Sequence, residues 1–385
     1  MFAIPLAWLQ LKRERIRFLV ALAGIGFAVI LMFIQMGFQD ALFDSAVRLH
    51  QNLKGDVFLI SPQSTALIAM RSFSQRRLYQ ALGYEGVESV SPIYLGFAFW
   101  KNPVNRNTRS ILAIAFDPAN PVFGPEILPN LDPIRFPDVV LFDDKSREEF
   151  GPIAKLFNEG KPVITEIDGR RVTVGGLFSL GASFGADGNF ITSDLNFLRI
   201  FSGRKPGHID AGSIKLKPGA DVQKLVNALK RDMEEVTRDV RVLTKQEFVE
   251  FEQKYWKDST AIGYIFTLGA AIGFVVGTVI VYQILYTDVT DHLAEYATLK
   301  AMGYKNLYLL SVVFQEALIL SVLGYIPGFF LSVGLYQLTQ NATSLPIGMT
   351  TARAILVFCL TVMMCLISGA IAVRKVQDAD PADIF

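Results

Sequence analysis

Charge is scarce in this chain and cysteine nearly absent. Of 385 residues, 19% are Asp, Glu, Lys or Arg, while 51% are hydrophobic and 12% aromatic. The mean hydropathy of +0.35 is one that a soluble domain rarely reaches at so low a charge. A net charge of +1 supplies no global field to select nucleic acid, so no nucleic-acid partner is expected. The two cysteines, Cys359 and Cys365, fall six apart in the last apolar run, on largely different helix faces. Neither a disulfide framework nor a metal site follows from them. The cysteine-free remainder is compatible with an oxidising space outside a membrane. His50, His208 and His292 are scattered singly, without helical metal-ligand spacing. No Gly-x-x-x-x-Gly-Lys-Ser/Thr loop occurs; Gly160-Lys161-Pro162 lacks the earlier glycine and the hydroxyl. The chain is therefore expected to bind no cofactor and not to be its own ATPase.

What is present is a set of long apolar runs, at residues 18–38, 260–285, 307–338 and 354–373. A spanning helix needs roughly 20 apolar residues, so four transmembrane helices are expected. The first run follows Lys12, Arg13, Arg15 and Arg17. It is too long for a signal peptide and no small-x-small site closes it. Residues 1–17 then form a leading helix, 286–306 and 339–353 the short connections, and 374–385 a tail. Lys12, Arg13, Arg15, Arg17, Lys300, Lys305, Arg374 and Lys375 cluster on one side and Arg353 alone on the other. By the positive-inside rule both termini and residues 286–306 lie in the cytoplasm of a multi-pass plasma-membrane protein.

Residues 39–259 differ in kind: polar, rich in Pro and Gly turns, without a spanning run. They form a large exported α+β domain inserted between spans one and two. Phe38, Leu42, Ala46 and Leu49 on one flank, and Phe248, Phe251 and Tyr255 on the other, predict two stalk helices. Inside, two strand–helix–strand units echo each other. The first has a strand at 56–60, a helix at 75–82 and a strand at 87–99. The second has a strand at 213–216, a helix at 222–236 and a strand at 240–243. Between them, residues 116–208 read as a β-rich insertion, with strands at 139–142, 163–165, 171–174 and 190–192.

One enzyme pattern occurs. Gly181-Ala182-Ser183-Phe184-Gly185 has the Gly-x-Ser-x-Gly form, with Asp194 and His208 following in hydrolase order. A nucleophile elbow needs a helix directly after the serine. Ala186-Asp187-Gly188-Asn189 and a β run follow instead, so a glycine-rich turn explains the residues equally well and no catalytic residue is assigned. Asp143-Asp144 opens a helix-like stretch and reads as its N-terminal cap. Gly269, Gly273 and Gly277 lie four apart in the second span, and Gly324 and Gly328 in the third. Such faces let helix backbones approach closely, within a subunit or across a dimer. Gln315 and Glu316 are polar residues inside the third span. A buried acid there is a functional candidate, with structural anchoring the alternative.

The stretch Glu295-Tyr296-Ala297-Thr298-Leu299-Lys300-Ala301-Met302-Gly303-Tyr304 sits between spans two and three. Its composition favours helix. Tyr296, Leu299 and Met302 form a narrow apolar stripe, and Gly303 is a helix stop. An amphipathic helix at a membrane surface needs lipid or a protein partner to cover that stripe.

This layout resembles the MacB/FtsX-like permeases of ABC systems, nearly end to end. Leu6-Ala7-Trp8, Leu11 and the arginines resemble the family's leading helix. Glu295 to Gly303 resembles its coupling segment, Glu316-Ala317 its third-span Glu-Ala, and Asp380-Pro381-Ala382 its C-terminal Asp-Pro-Ala. His292 to Tyr304 is especially similar to the cyanobacterial DevC permeases of heterocyst glycolipid export. Ala294 departs from the Arg that the wider family often carries there, so docking leans less on that charge. The resemblance implies a periplasmic, porter-like outer domain and a homodimer in the inner membrane. It implies a cytoplasmic ABC ATPase dimer that binds ATP and Mg, a periplasmic adaptor (membrane fusion protein) and a TolC-like outer-membrane channel. Export of a lipidic cargo would be driven by mechanical transmission, with Glu295, Tyr296, Leu299, Lys300, Met302 and Gly303 as coupling residues. Two alternatives stand beside it: an FtsX-like regulator of a periplasmic partner such as a cell-wall hydrolase, and a membrane-bound serine esterase using Ser183.

Overall fold

A computed structural model describes residues 15–236, 238–304, 306–343 and 345–377. The leading Leu6-Ala7-Trp8 and Leu11, together with Asp380-Pro381-Ala382, lie outside the described residues. The chain divides into two compact units, one formed by Leu42–Thr260 and the other by the long apolar helices.

Helix α1 (Arg15–Ala46) is followed, after Val47, by α2 (Arg48–Asn52). The domain then runs β1 (Val57–Ile60), β2 (Phe73–Ser74), α3 (Gln75–Gln80), β3 (Val87–Lys101), β4 (Thr108–Phe116), β5 (Val139–Asp143), α4 (Ile153–Asn158), β6 (Ile164–Ile167), β7 (Arg170–Phe178) and β8 (Asn189–Ser193). It continues with α5 (Asp194–Ile200), β9 (His208–Ile209), β10 (Ala211–Leu216), α6 (Val222–Leu229), β11 (Arg241–Thr244) and α7 (Lys245–Asp258). A π-helical turn, Lys230–Glu235, extends α6. Four membrane-unit helices remain: α8 (Ala261–Asp291), the short α9 (Leu293–Ala301), α10 (Asn306–Thr343) and α11 (Thr351–Gln377).

Local chemistry fixes the helix starts. Asp221 caps α6 by accepting hydrogen bonds from the Gln223 and Lys224 amides at 2.9 and 3.1 Å. Thr244 and Glu247 form a reciprocal capping box at α7, with bonds of 3.1 and 2.7 Å.

One nine-stranded sheet runs β11-β1-β10-β3-β4-β8-β5-β7-β6. Its first four strands are the two echoed units interleaved, all antiparallel. Leu78 of α3 and Leu225, Val226 and Leu229 of α6 pack on one face. Leu49 and Leu53 near α2 and Phe248 of α7 pack on the other. Burial on both faces explains why β1 is apolar throughout.

The expected insertion is not a sheet of its own. β4 pairs with β3 along nine residues, β8 lies parallel to β4, and Trp100 and Lys101 of β3 pair with Ile167 and Glu166 of β6. Strands β3-β4-β8-β5-β7-β6 therefore close on themselves as a six-stranded barrel that borrows β3 from the interleaved sheet. Sequence reading placed no strand at 108–116. From Ile111 to Phe116 every residue is buried, so the alternation that marks a half-exposed strand is missing.

Among the described residues, four helices are long and apolar enough to cross a bilayer: Arg15–Ala46, Ala261–Asp291, Leu310–Ala342 and Thr351–Val373. This is a four-span membrane protein with its α+β domain inserted between the first and second spans. The second stalk expectation is interrupted, because α7 stops at Asp258 and α8 starts at Ala261. The first spanning helix instead continues unbroken to Ala46.

Candidate functional site

The link between the second and third spans is built from helix ends. α8 outruns its apolar stretch to Asp291, where Arg17 of α1 makes an ion pair with the Asp291 carboxylate. α9 then closes with the Tyr304 amide donating to Leu299 O at 3.1 Å, while Gly303 takes φ +92°. That six-to-one bond around a left-handed residue is a Schellman stop, and it is what makes glycine suitable at 303.

The closure also redirects the apolar stripe. Leu299 packs inward on Val289, Val313 and Val373. Met302 lies beyond the last helical residue, in the turn, and is 63% exposed. Tyr304 is also exposed, with its ring centroid 4.9 Å from that of Tyr308. Glu295 is exposed in the first turn. The side chains of Tyr296 and Lys300 lie outside the described residues. Leu299 and Met302 thus do not share one outward face: the first anchors the helix and the second faces out.

Both glycine stripes meet α1. A Cβ at Gly269 would fall 2.5 Å from Gln35 Cδ, at Gly273 3.3 Å from Leu31 Cβ, and at Gly277 2.7 Å from Ala28 Cβ and closer still to Met364 Sδ of α11. On α10, a Cβ at Gly324 would stand 2.6 Å from Ile25 Cγ2, and one at Gly328 2.7 Å from Val29 Cγ1 and 3.1 Å from the Gly26 carbonyl. The five glycines are thus occupied inside the subunit, seating the first span between the second and third. Pro327, between Gly324 and Gly328, removes one helical hydrogen bond at the same level.

Glu316 is buried within α10 and Gln315 half-buried beside it. Sequence reasoning missed a second polar cluster. Arg353 of α11, nearly buried, donates to Asp40 Oδ2 of α1 through Nε (3.1 Å) and Nη2 (2.6 Å), and to Gly348 O through Nη1 (2.8 Å). Its guanidinium lies over the Tyr336 ring at 5.6 Å, and the Tyr336 hydroxyl donates to Phe33 O. One arginine joins three spans.

In the extramembrane domain, Ser183 sits in a tight turn whose Oγ accepts from the Ala186 amide at 3.1 Å, and the next element is β8, not a helix. His208 is paired to Ser74 in the separate ribbon β2–β9. The structural context of a nucleophile elbow is absent here. Asp143 corrects the capping expectation. It ends β5, fully buried, and accepts from the Leu180 and Gly181 amides at 3.0 and 2.8 Å and from Asn189 Nδ2 at 2.7 Å. Burial pushes its carboxyl up from the ordinary range, against those bonds.

His50 of α2 and Glu252 of α7 form another buried pair, Nε2 to Oε2 3.7 Å apart. Glu252 accepts from the Leu67 amide at 2.7 Å and Trp256 Nε1 at 2.8 Å. Burial pushes the Glu252 carboxyl up to about 7 and the His50 imidazole down to about 3. The signal was available: Glu252 stands four residues from both Phe248 and Trp256, on the buried stripe of α7.

With this geometry in view, two family matches cover most of the chain. The MacB-like periplasmic core domain matches residues 18–232 and the FtsX-like permease C-terminal domain residues 265–381. A search of curated proteins gives no significant match. Among solved structures, the periplasmic region of MacB from Actinobacillus actinomycetemcomitans is similar at 9% identity. It aligns over 51% of this chain and 91% of that one, with a TM-score of 0.36. The extracellular domain of the noncanonic ABC-type transporter YknZ from Gram-positive bacteria is similar at 14% identity, over 49% and 100%, with a TM-score of 0.33. Family membership rests on the two sequence matches: the chain belongs to the MacB/FtsX-like permeases of ABC transporters.

Proposed function

We propose that this permease lies in the inner membrane with both termini cytoplasmic and passes the stroke of a separate ATPase dimer to its outer domain. Nucleotide and Mg belong to that partner, and this chain is not itself an enzyme. The observation that carries the reading is the link between spans two and three. It is a short helix anchored in its last turn by Leu299 in the bundle and stopped by Gly303, with Met302, Tyr304 and Glu295 left outward. An exposed apolar peg on an anchored helix is what a groove on another protein can grip, as in helix-in-groove recognition. A homodimer working with a periplasmic adaptor and a TolC-like channel to export a lipidic cargo completes the proposal. Glycolipid is the cargo suggested by the resemblance of residues 292–304 to the DevC permeases.

The test is ATPase turnover of the copurified complex. Met302→Asp should abolish stimulation by the permease while leaving the purified chain's thermal stability unchanged. Undiminished turnover would refute the coupling assignment. A copurified cell-wall hydrolase in place of adaptor and channel would replace export with regulation of that hydrolase.

A further inference from the structure

The segment carrying the unused Gly-x-Ser-x-Gly pattern is held between two opposite charges. Its peptide N–H groups at Leu180 and Gly181 point to the buried Asp143 carboxylate of the barrel strand β5. Its carbonyls at Leu180 and Ala182 accept from Nη1 of Arg48 on α2, at 3.5 and 3.2 Å. Gly181 takes φ +99°, and a Cβ there would overlap the Arg48 guanidinium. Three residues on, the Phe184 amide donates to Ser45 Oγ near the end of α1 at 3.2 Å. The Phe184 ring stands edge-on to Trp256 of α7 with centroids 4.9 Å apart. A Cβ at Gly185 would lie 3.1 Å from Ile68 and 3.6 Å from Trp256. One short loop of the barrel therefore grips three helical segments at once.

We infer that residues 180–186 are a clasp that positions the six-stranded barrel on the paired helices α2 and α7, with Arg48 and Phe184 as its positioning residues. Peptide dipoles sandwiched between a carboxylate and a guanidinium resist both sliding and rotation, because the Leu180 and Gly181 donors and the Leu180 and Ala182 acceptors are each oriented by a charge. The burial that pushes Asp143 up and Arg48 down is the cost of placing this pair inside the domain. A loop kept only as a surface turn would have no need of it. The glycines at 181 and 185 fit the same role, since they admit the Arg48 side chain and the Ile68 and Trp256 side chains at close range. In the transport reading above, on which only the final arm of the test depends, the clasp delivers displacement of the helices to the barrel.

The experiment uses the full chain in lipid nanodiscs, with Cys359→Ser and Cys365→Ala, carrying spin labels at the exposed Lys257 of α7 and Thr108 of β4. Wild type should give one narrow distance. Arg48→Met, and independently Phe184→Ala and Gly181→Ala, should broaden it, with roughly tenfold faster hydrogen exchange at the Leu180 and Gly181 amides. Arg48→Lys, which keeps the charge, should restore part of that protection. Strand amides of β1 and β10 should stay protected, which separates clasp opening from unfolding. An unchanged distance distribution in all three variants overturns the inference. With the copurifying ATPase trapped by ATP and vanadate, a second label pair, Lys257 with Thr290 of α8, reports the stroke itself and tests the transport reading alone. A Lys257–Thr108 distance that broadens without nucleotide supports the clasp whether or not that second pair moves.

Discussion

Gly328 of α10 has no room for even a methyl group, because Val29 and the Gly26 carbonyl of α1 already stand where its Cβ would be. Overpacking of this kind costs about 1–3 kcal/mol. Gly334, two turns further on, has nothing within 4 Å of its would-be Cβ. Gly328→Ala should therefore lower the thermal stability of the detergent-solubilised chain. Gly334→Ala should leave it unchanged or raise it, since alanine in a helix interior is favoured over glycine by roughly 0.5–1 kcal/mol. A loss of equal size at both positions would mean that glycine flexibility, not close approach, is what matters. Spacing in the sequence showed which face of the helix is close-packed but not which helix lies against it. Arg353 makes the same point, because its partner Asp40 is 313 residues away and no local pattern can join them.

The pair His50 and Glu252 gives a second test at the same scale. Glu252 titrates near 7 in the folded protein against 4.5 when unperturbed. Between those values the folded state holds the extra proton, so its contribution to stability falls as pH rises. His50 titrates near 3 against 6.5. Between those values the unfolded state holds the extra proton, so this contribution grows with pH. The two oppose each other from about 4.5 to 6.5, leaving a plateau with a rise below it and a decline above it toward pH 7. Glu252→Gln should remove the decline in a plot of melting temperature against pH while keeping the acid rise. A decline that survives the substitution belongs to other groups.

Among elements, α9 separates two roles that the sequence merged. The three-residue spacing of Leu299 and Met302 suggested a single stripe, and helix composition and Gly303 did locate the element and its stop. The stripe is lost because the helix closes before Met302, and a stop signal in sequence does not say which of the last side chains turns away. Leu299→Asp would bury a charge against Val289, Val313 and Val373, so it should destabilise the bundle by several kcal/mol. Met302→Asp should leave stability alone and act only on a partner. Thermal unfolding of both variants without any ATPase checks the division; equal loss from Met302→Asp would place that side chain inside too. The domain shows the same limit. Its two strand–helix–strand units were legible because each is written in a short stretch of period-2 and period-3.6 pattern. The closing of the barrel was not, because the β3–β6 and β4–β8 pairings join residues 65 or more positions apart.

At the scale of the molecule, the extramembrane unit carries everything a domain needs. Its sheet, both core clusters and the helices that cover them all come from Leu42–Thr260. Phe58, Phe116, Phe150, Phe178, Phe190 and Phe248 are among its fully buried side chains, and each such ring contributes about 1.5–3 kcal/mol of burial. The membrane unit draws instead on close packing around α1, which water-driven burial does not supply inside lipid. Two units with separate sources of stability should unfold separately. A fragment of residues 42–260 should therefore be a soluble protein with one cooperative unfolding transition. In the full chain, guanidinium should melt that transition first, while the helical bundle persists in detergent. Calorimetry of the fragment and circular dichroism of the full chain check this together. If the fragment stays unfolded, α2 and α7 need the rest of the chain to hold them, and the two units must be treated as one folding unit.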